Sequence, residues 1–150
     1  MNMKNFCLVL VLLAISLSTV WARGPENNSE EDSLYAFLEG TYYLIGRLPD
    51  STKTYSGKVV LKKTDDAFQV TRVINGKKIK GFGKLEAATA DKTKVLRIRF
   101  IDENKNYEAT YLINSDLDNY ARLSGYLYVI QGGTKVPGLE ALFIDHQALK

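Results

Sequence analysis

From Gly40 onward, apolar and polar side chains alternate with a period of two, and no window sustains helical spacing over three turns. A pleated strand turns successive side chains to opposite faces, so this alternation restricts the body of the chain to sheet. Eight segments carry it: 41–48, 55–63, 67–74, 77–85, 95–101, 107–114, 120–130 and 139–145. They are rich in Val, Ile, Tyr, Phe and Thr, and the gaps hold turn formers. Leu48-Pro49-Asp50-Ser51 reads as a turn, because Pro presets φ and Asp bonds its own backbone. Asn75-Gly76 is the strongest local signal, since a two-residue type I′ turn needs positive φ at both positions.

That turn fixes a register. With Ile74 facing Lys77, Arg72 faces Ile79, Val70 faces Gly81 and Phe68 faces Gly83. One face of the hairpin is then Phe68, Val70, Ile74, Ile79 and two glycines. The other is Gln69, Thr71, Lys78, Lys80 and Lys84, with Phe82 out of place on it. Glycines opposite Phe and Val leave room for those side chains and let the strand bend, as closing a sheet requires. The fifth segment repeats the pattern, with Leu96, Ile98 and Phe100 inward and Arg97 and Arg99 outward. Short loops and sequential strands predict an all-β fold, an eight-stranded antiparallel up-and-down β-barrel, with an open sandwich as the alternative. A short helical turn over 33–39, capped by Ser33, would place Leu34, Phe37 and Leu38 inward and close one end as a lid.

The first 22 residues do not belong to this pattern. Met1–Asn5 is short and positively charged, 6–20 is apolar, and Val20-Trp21-Ala22 is a small-x-small site before Arg23, the layout of a cleavable signal peptide. The apolar run is shorter than the roughly 20 residues of a spanning helix, so no transmembrane segment is expected and the product is expected to be secreted or periplasmic. Residues 23–33 are polar and predicted to form a disordered arm; Asn27-Asn28-Ser29 fits a glycosylation acceptor. The domain is expected over 34–150. Of 20 basic side chains only Lys4 lies in the leader, against 17 acidic ones, and the chain's single Cys, its Trp and both Met lie there too. Past Ala22 the composition therefore excludes disulfides, thiol nucleophiles and multi-histidine metal sites, and the near-balanced charge gives no footprint for nucleic acid.

Gly40-Thr41-Tyr42-Tyr43 resembles the Gly-x-Trp-Tyr signature of the lipocalins, with Tyr42 where the family has Trp. The order of helical turn, signature strand, seven further strands and secretory leader is similar to the wider calycin group, over roughly 34–145. The resemblance implies a barrel that binds small molecules or proteins, and implies no chemistry. Avidin-like members hold biotin with several tryptophans, and the body of this chain has none.

Arg72 stands out, because it lies on the apolar face between Val70 and Ile74 and a buried charge needs a partner. It would anchor a carboxylate or phosphate with its planar fork, or snorkel at the barrel rim, or pair internally with Glu140. Tyr42, Tyr55 and Tyr111 fall on inward phase and, with Phe68 and Arg72, are the candidate ligand contacts; tyrosines of this kind suit a pocket or a filled core equally. On the seventh segment, Ala121, Leu123, Gly125, Leu127 and Val129 form one face. Tyr120, Arg122, Ser124, Tyr126 and Tyr128 form the other. If the first set is inside, Tyr126 and Tyr128 with Phe82 could make a protein-binding patch. Lys58, Lys62, Lys78, Lys80 and Lys84 share a solvent side that keeps the sheet soluble or attracts an anionic surface. Asp145-His146 reads as incidental on a tail rather than as an acid–base pair. No nucleophile–base pair or metal triad is legible, so the expected role is non-catalytic, without cofactor or metal. The expected function is binding of a small apolar or amphipathic ligand; the alternative is a secreted interaction or inhibitor module with a filled interior.

Overall fold

The computed structural model describes residues 26–88, 90, 92–114 and 120–148. The proposed leader and the first residues of the polar arm lie outside them. A helix, α1 (Glu26–Leu38), precedes eight strands: β1 (Gly40–Arg47), β2 (Thr54–Lys63), β3 (Phe68–Ile74), β4 (Lys77–Ala87), β5 (Lys94–Asp102), β6 (Lys105–Ile113), β7 (Ala121–Val129) and β8 (Gly138–Ile144). Each strand pairs antiparallel with the next, and β1 pairs with β8, so the sheet closes into an up-and-down barrel. This architecture is compatible with a calycin-like fold, and closure leaves no edge strand open to further pairing.

The hairpin register set by Asn75-Gly76 is the one expected: Phe68 pairs with Gly83, Val70 with Gly81, Arg72 with Ile79 and Ile74 with Lys77. Asn75 and Gly76 both have positive φ, 51° and 77°. A second two-residue turn joins β5 to β6 through Glu103 and Asn104, at φ 47° and 61°. Its lack of glycine hid it from the sequence. Inward positions on every strand carry the core: Tyr42, Leu44, Val59, Leu61, Phe68, Val70, Ile79, Leu85, Leu96, Ile98, Ala109, Tyr111, Leu123, Leu127 and Leu142 are all buried. Full burial of each aliphatic or aromatic side chain contributes about 1.5–3 kcal/mol. On β7 the inward set is the Leu123–Leu127 face, with an irregularity between Ala121 and Leu123.

The helix corrects two expectations. It begins at Glu26, not Ser33, and so takes in most of the segment expected to be a disordered arm. Glu31 and Asp32 reach Lys94 and Lys63 at 3.0 and 2.9 Å, tying this polar stretch to the ends of β5 and β2. The last turn plugs the barrel end as expected, but Tyr35 joins Leu38 as its most buried residue. The Tyr35 hydroxyl donates to the Asp66 carbonyl at 2.7 Å and accepts from the Leu85 N–H at 3.2 Å. The carbonyls left free at a helix C-terminus find side-chain donors here. Tyr42 donates to Leu38 O at 2.8 Å, and Arg122 Nη1 donates to Phe37 O at 3.0 Å while stacking on the Phe37 ring. A cation at this pole also suits the helix dipole.

Candidate functional site

In an up-and-down barrel, alternate turns gather at one end. The β1–β2, β3–β4 and β5–β6 turns here surround a cup of about 460 Å³ at the end opposite α1. Its walls are Leu48, Ile74, Ile79, Tyr107 and Leu127; Tyr55, Arg72 and Phe100 also line it. Lys53, Lys77, Asp102 and Glu103 stand among its charged lining residues. Lys77 is ion-paired with Asp102, and Glu103 is 4.0 Å away.

The polar part of the cup is a buried network. One ladder row runs across five strands as Tyr55, Gly46, Glu140, Gly125 and Tyr111. Glycines flank Glu140 on both sides, so both tyrosine hydroxyls reach over them and donate to the carboxylate. A Cβ on Gly46 would lie 2.8 Å from the Tyr55 hydroxyl. Arg72 enters from β3 and binds the same carboxylate bidentately, with Nη1 to Oε2 at 3.2 Å and Nη2 to Oε1. Nη1 also donates to the Tyr111 hydroxyl at 3.3 Å, and the guanidinium stacks on Phe100 with its carbon 4.3 Å from the ring centroid. Phe100 in turn stacks on Tyr107. The Arg72 and Glu140 side chains are 1% and 0% exposed, and Arg72 Nε has no hydrogen-bond partner among the described residues.

Burial alone would raise the Glu140 carboxyl, but the Arg72 charge and the hydrogen bonds from Arg72, Tyr111 and Tyr55 outweigh it and hold the group below the ordinary glutamate range. Burial, then the Glu140 charge, pushes the Tyr55 and Tyr111 hydroxyls above the ordinary tyrosine range. Burial opposes the Arg72 charge, and Glu140 more than restores it. Because the folded glutamate is depressed, its stabilising contribution is complete above the unfolded value of about 4.3 and drains away as pH falls through the folded one. The tyrosines act in the opposite sense: their contribution is complete below about pH 10 and is lost as pH rises through their folded values. Stability is therefore expected to hold level between those limits. Absorbance of ionised tyrosine, followed during alkaline titration, should show Tyr55 and Tyr111 ionising only as the fold is lost; their ionisation in the native protein would refute this.

The five residues expected to contact a ligand divide between the two ends. Arg72 and Tyr55 line the cup, and Tyr111 lies in the network with them. Tyr42 caps α1, and Phe68 packs on Tyr35 with ring centroids 4.9 Å apart, so both belong to the plugged end. Strand phase reports which face a residue takes, not its height along the barrel axis. Arg72 does not snorkel at the rim; of the three roles open to it, pairing with Glu140 is the one observed. Ile79, Phe100, Tyr107 and Leu127 were not singled out as site residues. Phe100 stands three residues before the Glu103-Asn104 turn, the spacing Arg72 has from Asn75, but without a glycine to mark that turn no sequence signal pointed to it.

The aromatic patch expected outside does not assemble. Tyr126 and Tyr128 are 6.3 Å apart, but Phe82 is separated from Tyr128 by Arg99 and Glu108, which are ion-paired at 2.8 Å. Tyr126 instead joins exposed Leu112, Ile45 and Leu139 around Ser124 and Ala141 on the outer face of β6, β7, β8 and β1. Lys58 pairs with Asp145 and Lys84 with Asp66, while Lys62, Lys78 and Lys80 are exposed. His146 is exposed and meets Tyr120 edge-on. Among the described residues, no group of three or more His, Cys, Asp or Glu side chains is placed to hold a metal, and no helix is long and apolar enough to cross a membrane. No protein-family model and no curated protein matches the chain.

Proposed function

We propose that this protein is an exported, lipocalin-like member of the calycin group that binds one small apolar or amphipathic molecule in the cup and catalyses no reaction. The observation that carries this is the cup itself. A volume of about 460 Å³ falls within the several hundred cubic ångströms typical of small-molecule sites, which combine apolar walls with a few fixed polar groups. Ile74, Ile79, Leu127 and Phe100 offer the apolar surface, and Tyr55 and Arg72 the polar contacts. The network holds those two side chains in place before any ligand arrives, which lowers the ordering cost of binding. Export rests on the leader of residues 1–22.

Calorimetric titration with a ten-carbon chain bearing hydroxyl, methyl ester, carboxylate or ammonium heads tests this. Saturable one-to-one binding by at least one member is expected, and Ile79→Trp, which fills the cup, should abolish it. Absence of saturable binding across the panel would sink the proposal. A secreted interaction or inhibitor module is the second reading, favoured by exposed Ile45, Leu112, Tyr126 and Leu139 on one outer face. Its expectations are opposite: Ile79→Trp leaves the interaction intact and Leu112→Glu removes it.

A further inference from the structure

The charges of the cup balance, and this narrows what it can hold. Glu140 is saturated: each carboxylate oxygen takes one guanidinium N–H and one tyrosine O–H. Arg72 is thereby neutralised before a ligand enters. Around the cup Lys77 is ion-paired with Asp102 and lies 4.0 Å from Glu103, and Lys53 brings the lining to two lysines against these two acids. A carboxylate seated on the network would find no uncommitted cation at Arg72 and would add a second buried anion beside Glu140, at a desolvation cost that the neutralised Arg72 does not offset. An ammonium head would meet the guanidinium.

Two hydrogen-bonding groups of the network bear on a ligand's head. Arg72 Nε is a buried donor with no partner among the described residues, and a donor left so is costly until something accepts from it. The Tyr55 oxygen donates its proton to Glu140 and keeps acceptor capacity of its own. A hydroxyl can serve both, accepting from Nε–H and donating to the Tyr55 oxygen. An ester carbonyl can serve the first alone.

Building on the proposed binding role, we infer that the cup selects uncharged amphiphiles, alcohols before esters, with the polar head seated on Arg72 Nε and the Tyr55 hydroxyl and the chain along Ile79, Phe100 and Leu127. This replaces the carboxylate or phosphate anchor that Arg72 suggested in sequence. The test uses the same panel at pH 7.5. 1-Decanol is expected to bind at least ~10-fold more tightly than decanoate or decylammonium, a difference of about 1.4 kcal/mol, with methyl decanoate between. Glu140→Gln removes the balancing anion and should reverse the order of 1-decanol and decanoate. Tyr55→Phe should weaken 1-decanol and leave methyl decanoate unchanged, and this variant decides the point if Glu140→Gln does not fold. Decanoate binding as tightly as 1-decanol to the wild type would overturn the inference and leave the binding role standing. Equal weakening of both neutral ligands by Tyr55→Phe would overturn the two-point seat. Failure of every ligand would overturn inference and binding role together.

Discussion

Glu140→Leu is expected to lower the free energy of unfolding by about 3–5 kcal/mol, the usual cost of removing one partner from a buried ion pair. Few single substitutions cost as much. The reason is the asymmetry of the pair. Arginine does not deprotonate in proteins, so the loss of Glu140 strands a permanent charge that is 1% exposed, together with two tyrosine hydroxyls that had donated to the carboxylate. Arg72→Met should cost less, because the abandoned carboxyl escapes by taking a proton. Its penalty should grow with pH as that proton becomes harder to hold. The double variant Arg72→Met with Glu140→Leu should be more stable than Glu140→Leu alone, since no charge remains buried. Denaturant unfolding of the three proteins at pH 5 and pH 8 checks the order. A double variant no more stable than Glu140→Leu would mean that the pair does not carry the cost.

Gly125→Ala is expected to cost about 3 kcal/mol or more, at or beyond the upper end of ordinary overpacking. The added Cβ would lie 1.9 Å from the Thr110 carbonyl oxygen and 2.8 Å from Tyr111 Cα. Both are backbone atoms of β6, so relief requires β7 to move away from its neighbour. That displacement would also withdraw the Tyr111 hydroxyl from Glu140, coupling the strain to the buried network. Gly76→Ala is the control: its φ of 77° is unfavourable for alanine, but no atom lies within 4 Å of the new Cβ. It should cost only about 1 kcal/mol. Thermal unfolding of both variants separates the two roles of glycine. Equal losses would argue against the close approach of β6 and β7.

The local rules of strand chemistry made much of this architecture legible. Asn75-Gly76 set a register that holds pair for pair, and the period-two alternation located all eight strands to within a few residues. It also placed Arg72 and Tyr111 on the inward face. The cup was not legible, because its members come together through closure. Arg72 and Glu140 are 68 residues apart in sequence, and nothing local to either reports the other. Height along the axis was equally hidden: Phe68 and Arg72 lie on the same face of β3, yet one packs on Tyr35 of the plug and the other lines the cup. The early start of α1 was missed because its polar residues are held by lysines on β2 and β5, contacts that exist only once the barrel has formed. Tyr42, where the lipocalin signature has tryptophan, uses its hydroxyl to cap that helix.

The central claim is a charge-neutral floor beneath an open cup, and the side-chain Nε–H of Arg72 reports on it directly. In proton–nitrogen correlation spectra at pH 7.5, one arginine Nε–H signal should vanish in Arg72→Met. In the wild type that signal should exchange with deuterated solvent far more slowly than exposed arginine signals do, and it should shift when 1-decanol saturates the protein. An Arg72 signal that exchanges at the rate of the exposed arginines, or one that stays in place at saturation, would contradict both the buried pair and the seat built upon it.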